Sequence, residues 1–186
     1  MDGYLANPLI LVIQTLFQLY IWVVLLRYFL QLFRADFYNP LTQFVVRATN
    51  PLLVPLRRIV PPVGRHDLAS IVLALLLIAA MVFAVSAVGG MVMTAQSILG
   101  ATVYFAFKIV TDLFFWTVLV RALLSWFGQQ RTPVSGLLED LTDPILRPVQ
   151  NMLPPLGGID LSPLAVLLGI QVIQMLVLPP LQTLIH

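Results

Sequence analysis

The residues best suited to chemistry in this chain are a lysine and an aspartate set in an apolar stretch. Lys108 and Asp112 stand four positions apart, on one face of any helix that holds them. An ionisable side chain inside a membrane costs a few kcal/mol, and by default it marks a pathway or a binding site. The matching positions in the first half of the chain are Gln14 and Gln18, so these four polar side chains are expected to meet at the centre of a helical bundle. Such a cluster serves either as an ion or proton relay or as a self-neutralising pair hydrogen-bonded to two glutamines. A lysine in the outer third of its span also reaches the interface by snorkelling, which favours the structural pair. Arg57 and Arg58, with Arg147 in the second half, are candidates for binding anionic lipid headgroups or an acidic partner. Each such cation contributes about 1 kcal/mol near a negative leaflet. The competing readings are that Arg57 and Arg58 only fix topology, or pair with Glu139, Asp140 or Asp143 of the other loop.

Other reactive side chains are few. The chain has no cysteine and two histidines, His66 and His186, which excludes disulfides, thiolate metal sites and a bis-histidine zinc or haem site. No Gly-x-Ser-x-Gly elbow or Gly-rich phosphate loop occurs, and no serine–lysine or histidine–glutamate pair has usable spacing. The chain is therefore expected to be non-enzymatic, without cofactor, metal or nucleic-acid partner. Asp67 and Asp160 open apolar stretches, where a carboxylate caps orphan amides. A paired-carboxylate cation site would require both to turn toward a common axis.

The elements that position these residues follow from composition. Apolar residues make up 60% of the 186 positions and charged residues 10%, against roughly 45–50% and about 25% in soluble chains. Ten basic and eight acidic residues cannot coat so much apolar surface. The chain belongs in a bilayer, where a span takes about 20 apolar residues. Four spans are predicted, over about 8–33, 68–87, 98–127 and 161–178, the last ended by Pro179-Pro180. The first lacks a basic leader and runs on past Arg27, which argues against a cleaved signal peptide. Trp22 and Trp116 fall mid-span and are expected to pack between helices.

Nine of the ten basic residues lie in or beside the segments 34–67 and 128–160; Arg27 and Arg121 at the adjoining span ends are expected to snorkel to that face. The positive-inside rule makes both segments cytoplasmic and both termini periplasmic. The halves also repeat. Pro40, Thr49, Pro51, Pro55, Pro61, Gly64 and Asp67 recur at a fixed offset as Pro133, Thr142, Pro144, Pro148, Pro154, Gly157 and Asp160. The repeats divide the chain at 1–93 and 94–186, and a two-span unit keeps its orientation.

Each loop reads as two short amphipathic helices at the headgroup boundary. Asn39-Pro40 and Thr132-Pro133 open the first, and the stripes Leu41, Phe44, Val45, Ala48 and Val134, Leu137, Leu138, Leu141 form its apolar face. Asn50-Pro51 and Asp143-Pro144 are expected to end it and cap the second, because the residue before proline is pushed out of α conformation.

The run Asp143-Pro144-Ile145-Leu146-Arg147-Pro148, followed by Pro154-Pro155, Gly157-Gly158, Asp160 and Ser162-Pro163, resembles the YggT repeat. The first half carries it as Asn39-Pro40, Pro51, Pro55, Arg57-Arg58, Pro61-Pro62, Gly64 and Asp67. The halves depart from each other where Gln150-Asn151 stands for Arg57-Arg58 and Arg65-His66 for Gly158-Ile159. The resemblance implies an all-α bacterial inner-membrane protein with plastid relatives. It also implies associations with osmotic tolerance, division-linked gene neighbourhoods and, in plastids, cofactor assembly of a membrane cytochrome. The expected function is a scaffold or assembly factor whose paired cytoplasmic loops meet lipid headgroups and another membrane protein. The alternative is an oligomeric ion or osmolyte transport component, since four helices scarcely enclose a water path.

Overall fold

The computed structural model describes residues 3–126, 132–153 and 160–185. They form six helices: α1 (Gly3–Leu32), α2 (Pro40–Arg57), α3 (Leu68–Gly89), α4 (Ala95–Trp126), α5 (Pro133–Met152) and α6 (Ser162–Gln182), with a 3₁₀ turn at Thr183–Ile185. Four stretches, Ala6–Leu32, Leu68–Gly89, Ala95–Ser125 and Ser162–Ile185, are long and apolar enough to cross a membrane. The chain is a multi-pass, all-helical membrane protein. Its third predicted span ends at Phe127, outside the described residues.

Lipid is as apolar as leucine, so spans associate through close packing and small residues, not through hydrophobic burial. α1 packs chiefly on α3, α4 on α6, and α3 on α4 joins the pairs. Ala69, Ser70 and Ala74 of α3 and Ala101 of α4 are buried, letting Ile21 and Val24 approach Ile78 and Ile109. Gly100 is a closer case: a Cβ there would strike the backbone of Leu184. α3 closes at Gly90, whose φ of +65° is open to glycine, while the Met91 amide returns to the Ser86 carbonyl at 2.9 Å.

The proline loops differ from expectation in three ways. First, α2 runs unbroken for 18 residues through Pro51 and Pro55, and α5 for 20 residues through Pro144 and Pro148. The expected break needed Asn50 and Asp143 as caps, but both side chains are held by arginines of neighbouring helices. Second, α6 continues through Pro179-Pro180 to Gln182. A proline ring is compatible with helical φ, and near a helix end few ladder bonds remain to lose. Third, the amphipathic stripes divide. Val45, Leu137 and Leu141 are buried against Leu30 of α1, whereas Phe44 stays 63% exposed and Val134 is exposed.

N-termini behave as read. Asn39 Oδ1 accepts the Leu41 amide at 2.9 Å before Pro40. Thr132 and Ser135 form a reciprocal capping box before α5.

Candidate functional site

Proline inside a helix strips a ladder donor and costs about 3 kcal/mol or more. Pro51 has no donor for the Arg47 carbonyl four residues back, and the turn around that gap is held from outside by Arg27. Its Nη1 donates to the Val46 carbonyl at 2.8 Å, Thr49 Oγ1 at 2.7 Å and Asn50 Oδ1 at 2.7 Å. Tyr20 Oη adds a 3.3 Å bond to the Ala48 carbonyl. Thr49 in turn donates to the Val45 carbonyl at 2.8 Å. Arg27 is only 7% exposed, so it does not snorkel. The second half repeats the clamp: Arg121 Nη1 donates to Thr142 Oγ1 and Asp143 Oδ1, both at 2.6 Å. Asp143 also takes Arg147 Nη2 at 2.6 Å, so this clamp is an ion-pair chain.

A second pair of contacts ties each loop helix to the span that follows. Arg57 Nη2 meets Asp67 Oδ2 at 2.5 Å, Arg57 Nε reaches Oδ1 at 3.3 Å, and Ser70 Oγ donates to Oδ2 at 2.6 Å. Asp67 is fully buried and makes no side-chain cap, which replaces the expected capping role. Burial pushes its carboxyl up, but the bonds from Arg57 and Ser70 and the charges of Arg57 and Arg27 outweigh that and lower its pKa. Asp160 receives Gln150 Nε2 at 2.8 Å and the Ser162 amide at 2.8 Å, so it does help begin α6. Its pKa is lowered as well: slight burial opposes, while the bonds from Ser162 and Gln150 prevail. The place where Gln150 stands for Arg57 is thus an amide–carboxylate contact in one half and an ion pair in the other.

Arg57 therefore pairs within its own half and not with Glu139, Asp140 or Asp143. Arg58 is exposed, and Arg147 is exposed beside Asp143. The loops do touch elsewhere. Asn39 Nδ2 donates to the Pro133 carbonyl at 2.7 Å, and the Asp36 amide to Asp140 Oδ2 at 3.0 Å. Gly64 takes φ +60° in a two-residue turn closed by paired 3.0 Å bonds between Val63 and His66. His66 meets Tyr28 Oη at 2.9 Å through Nδ1. Pro61 is exposed, and Pro154 and Gly157 lie outside the described residues.

In the spans, Lys108 Nζ meets Asp112 Oδ2 at 2.5 Å, and Gln174 Nε2 reaches Asp112 Oδ1 at 2.8 Å and Thr111 Oγ1 at 2.7 Å. Gln14 and Gln18 do not join them: both are half-buried in α1 and make no hydrogen bond to the pair. The glutamine that closes the cluster comes from α6. Trp22 packs into the core, but Trp116 is half exposed on the outer surface. Among the described residues no cluster of three or more histidine, aspartate or glutamate side chains is placed to hold a metal ion.

Sequence reasoning missed the clamp partners. The signal was present, because Arg27 and Thr49 recur together as Arg121 and Thr142. Gln174 had no such signal.

Known proteins match this sequence along nearly the whole chain. The CCB3/YggT family model covers residues 6–88 and again 100–181, each stretch holding one arginine clamp and one loop helix. The chain belongs to the CCB3/YggT family. Its relatives include an uncharacterized protein in the proC 3′ region of Vibrio alginolyticus, 42% identical over 167 residues, covering 89% of this chain and 90% of that one. The uncharacterized protein YggT of Escherichia coli K12 is 41% identical over 177 residues, 95% of this chain and 92% of the other. The chloroplastic YlmG homolog protein 2 of Arabidopsis thaliana is 40% identical over 47 residues, 25% of this chain and 19% of that one. No solved structure matches.

Proposed function

We propose that this CCB3/YggT member is a non-enzymatic scaffold or assembly factor of the bacterial inner membrane. In this reading two tandem repeats, each a pair of spans joined by a proline-bearing loop helix, set α2 and α5 side by side on the cytoplasmic face. Both termini are periplasmic. The placement of nine of the ten basic residues supports that orientation. The carrying observation is the cross-tie from Asn39 to the Pro133 carbonyl, which joins the two loops into one surface. That surface presents Tyr38 at 86% exposure and Phe44 at 63%, with the exposed cations Arg58 following α2 and Arg147 on α5. Large exposed aromatics and exposed cations on one pair of loops suit a lipid interface and a partner membrane protein. The transport alternative rests on Lys108 and Asp112, and the contact with Gln174 favours a role in fixing α4 to α6.

The test is recovery of the protein from its own membrane in native-lipid particles, with Phe44→Glu and Arg58→Gln compared to the parent chain. A scaffold loses co-purifying membrane chains in the variants while the melting transition is unchanged. Recovery of the same chains from parent and variants refutes the platform. A closed ring of this chain alone supports conduction instead.

A further inference from the structure

A cavity of about 270 Å³ lies between the C-terminal end of α1 and the middle of α2. Arg27, Gln31, Phe37, Thr42, Val46 and Arg57 are among the residues that line it. Two guanidiniums facing one small cavity repel each other unless an anion lies between them. Asp67 pairs directly with only one of the two, Arg57, and acts on Arg27 through charge alone. In the second half Gln150 stands in place of Arg57, so Arg121 is the one guanidinium at the equivalent positions, and Asp143 pairs with it.

The donors around this cavity are incompletely used. Every protein bond from Arg27 leaves from Nη1, so its Nη2 and Nε have no partner among the described residues. Arg57 meets Asp67 and Gln31 through Nε and Nη2, which leaves its Nη1. Thr42 is 5% exposed, and its buried Oγ1 has no hydrogen-bond partner. A buried hydroxyl without a partner is uncommon and calls for an explanation. Two forked cations and one hydroxyl, all donor-rich and short of acceptors, match the oxygens of a phosphate group.

We propose that this cavity binds a phosphate group, contributed by an anionic phospholipid headgroup or by soluble phosphate. Phe37 lines the cavity and is exposed, as suits a mouth at the membrane surface. The site deepens the platform reading and rests on this loop lying at that surface.

The test uses the full chain in phosphatidylcholine nanodiscs. One arm adds phosphatidylglycerol stepwise and counts retained lipids by native mass spectrometry. The other titrates inorganic phosphate against chloride at matched ionic strength and follows the melting midpoint. Thr42→Val removes only the hydroxyl and is expected to weaken binding about tenfold, the value of one hydrogen bond to a charged group. Arg57→Gln, which copies Gln150, is expected to weaken it at least as much; should that variant not fold, Thr42→Val decides alone. Variant-sensitive retention in the lipid arm assigns a headgroup, and variant-sensitive stabilisation by phosphate alone assigns a soluble ligand. Absence of binding by the parent chain, or equal binding by parent and variants in both arms, overturns the proposal. Intact partner recovery alongside such a result removes the cavity site and leaves the platform standing.

Discussion

Replacing Arg27 with methionine keeps the apolar stem of the side chain and removes its donors. Nη1 carries two hydrogens, so at most two of its three acceptors are fully bonded at once. Hydrogen bonds from charged donors contribute about 1.5–3 kcal/mol each, giving an expected loss of about 3–6 kcal/mol. Arg121→Met supplies the comparison. It loses two bonds, but Asp143 keeps Arg147 at 2.6 Å, and Arg121 and Asp143 are each about a quarter exposed. Its loss is expected at about 1–3 kcal/mol. Tyr20→Phe gives up one long, neutral bond and should cost about 0.5–1 kcal/mol. The assay is reversible unfolding in mixed micelles titrated with sodium dodecyl sulfate. Equal losses for Arg27→Met and Arg121→Met, or a loss below about 1 kcal/mol for Arg27→Met, would refute the clamp as the support of the proline-bearing helix.

The Asp67 pKa is lowered on folding, so its stabilisation is present above the unfolded value of about 3.9 and lost as pH falls through the folded value. Melting midpoints measured from neutral pH downward should drop on the acid side, and Asp67→Asn should shrink that drop; an unchanged acid limb contradicts the pairing. Gly100→Ala should push the Thr183–Ile185 turn off α4, seen as faster cleavage of the C-terminus by carboxypeptidase in detergent. Gly64→Ala meets no steric neighbour, so its cost should be the backbone strain alone, about 1–2 kcal/mol. Lys108→Met combined with Asp112→Leu should destabilise less than the two single changes added together, because each single change leaves a polar partner behind.

Spans were legible because an apolar run of bilayer length has few other uses, and α1, α3 and α4 begin within a turn or two of their expected starts. Pro179-Pro180 and Asn50-Pro51 misled for different reasons. Near the end of α6 few ladder bonds remain to lose, whereas the turn before Pro51 is held by Arg27, a residue far along the chain. Arg57 was misplaced similarly, since its partner Asp67 had a sufficient local role as a cap. Gln14 and Gln18 share a repeat position with Lys108 and Asp112, but equivalent positions in two halves need not face one another. Only the packing of α4 on α6 shows that Gln174 is the neighbour.

The central claim is that the two proline-bearing loop helices occupy one side of the membrane and the Gly89-Gly90 turn the other. The chain contains no cysteine, so single cysteines placed at Tyr38, Arg147 and Val92 report their own side. These positions are 86%, 73% and 100% exposed. An impermeant maleimide should label Tyr38→Cys and Arg147→Cys in inverted vesicles and Val92→Cys in spheroplasts. Labelling of Tyr38→Cys and Arg147→Cys from opposite faces would contradict the account.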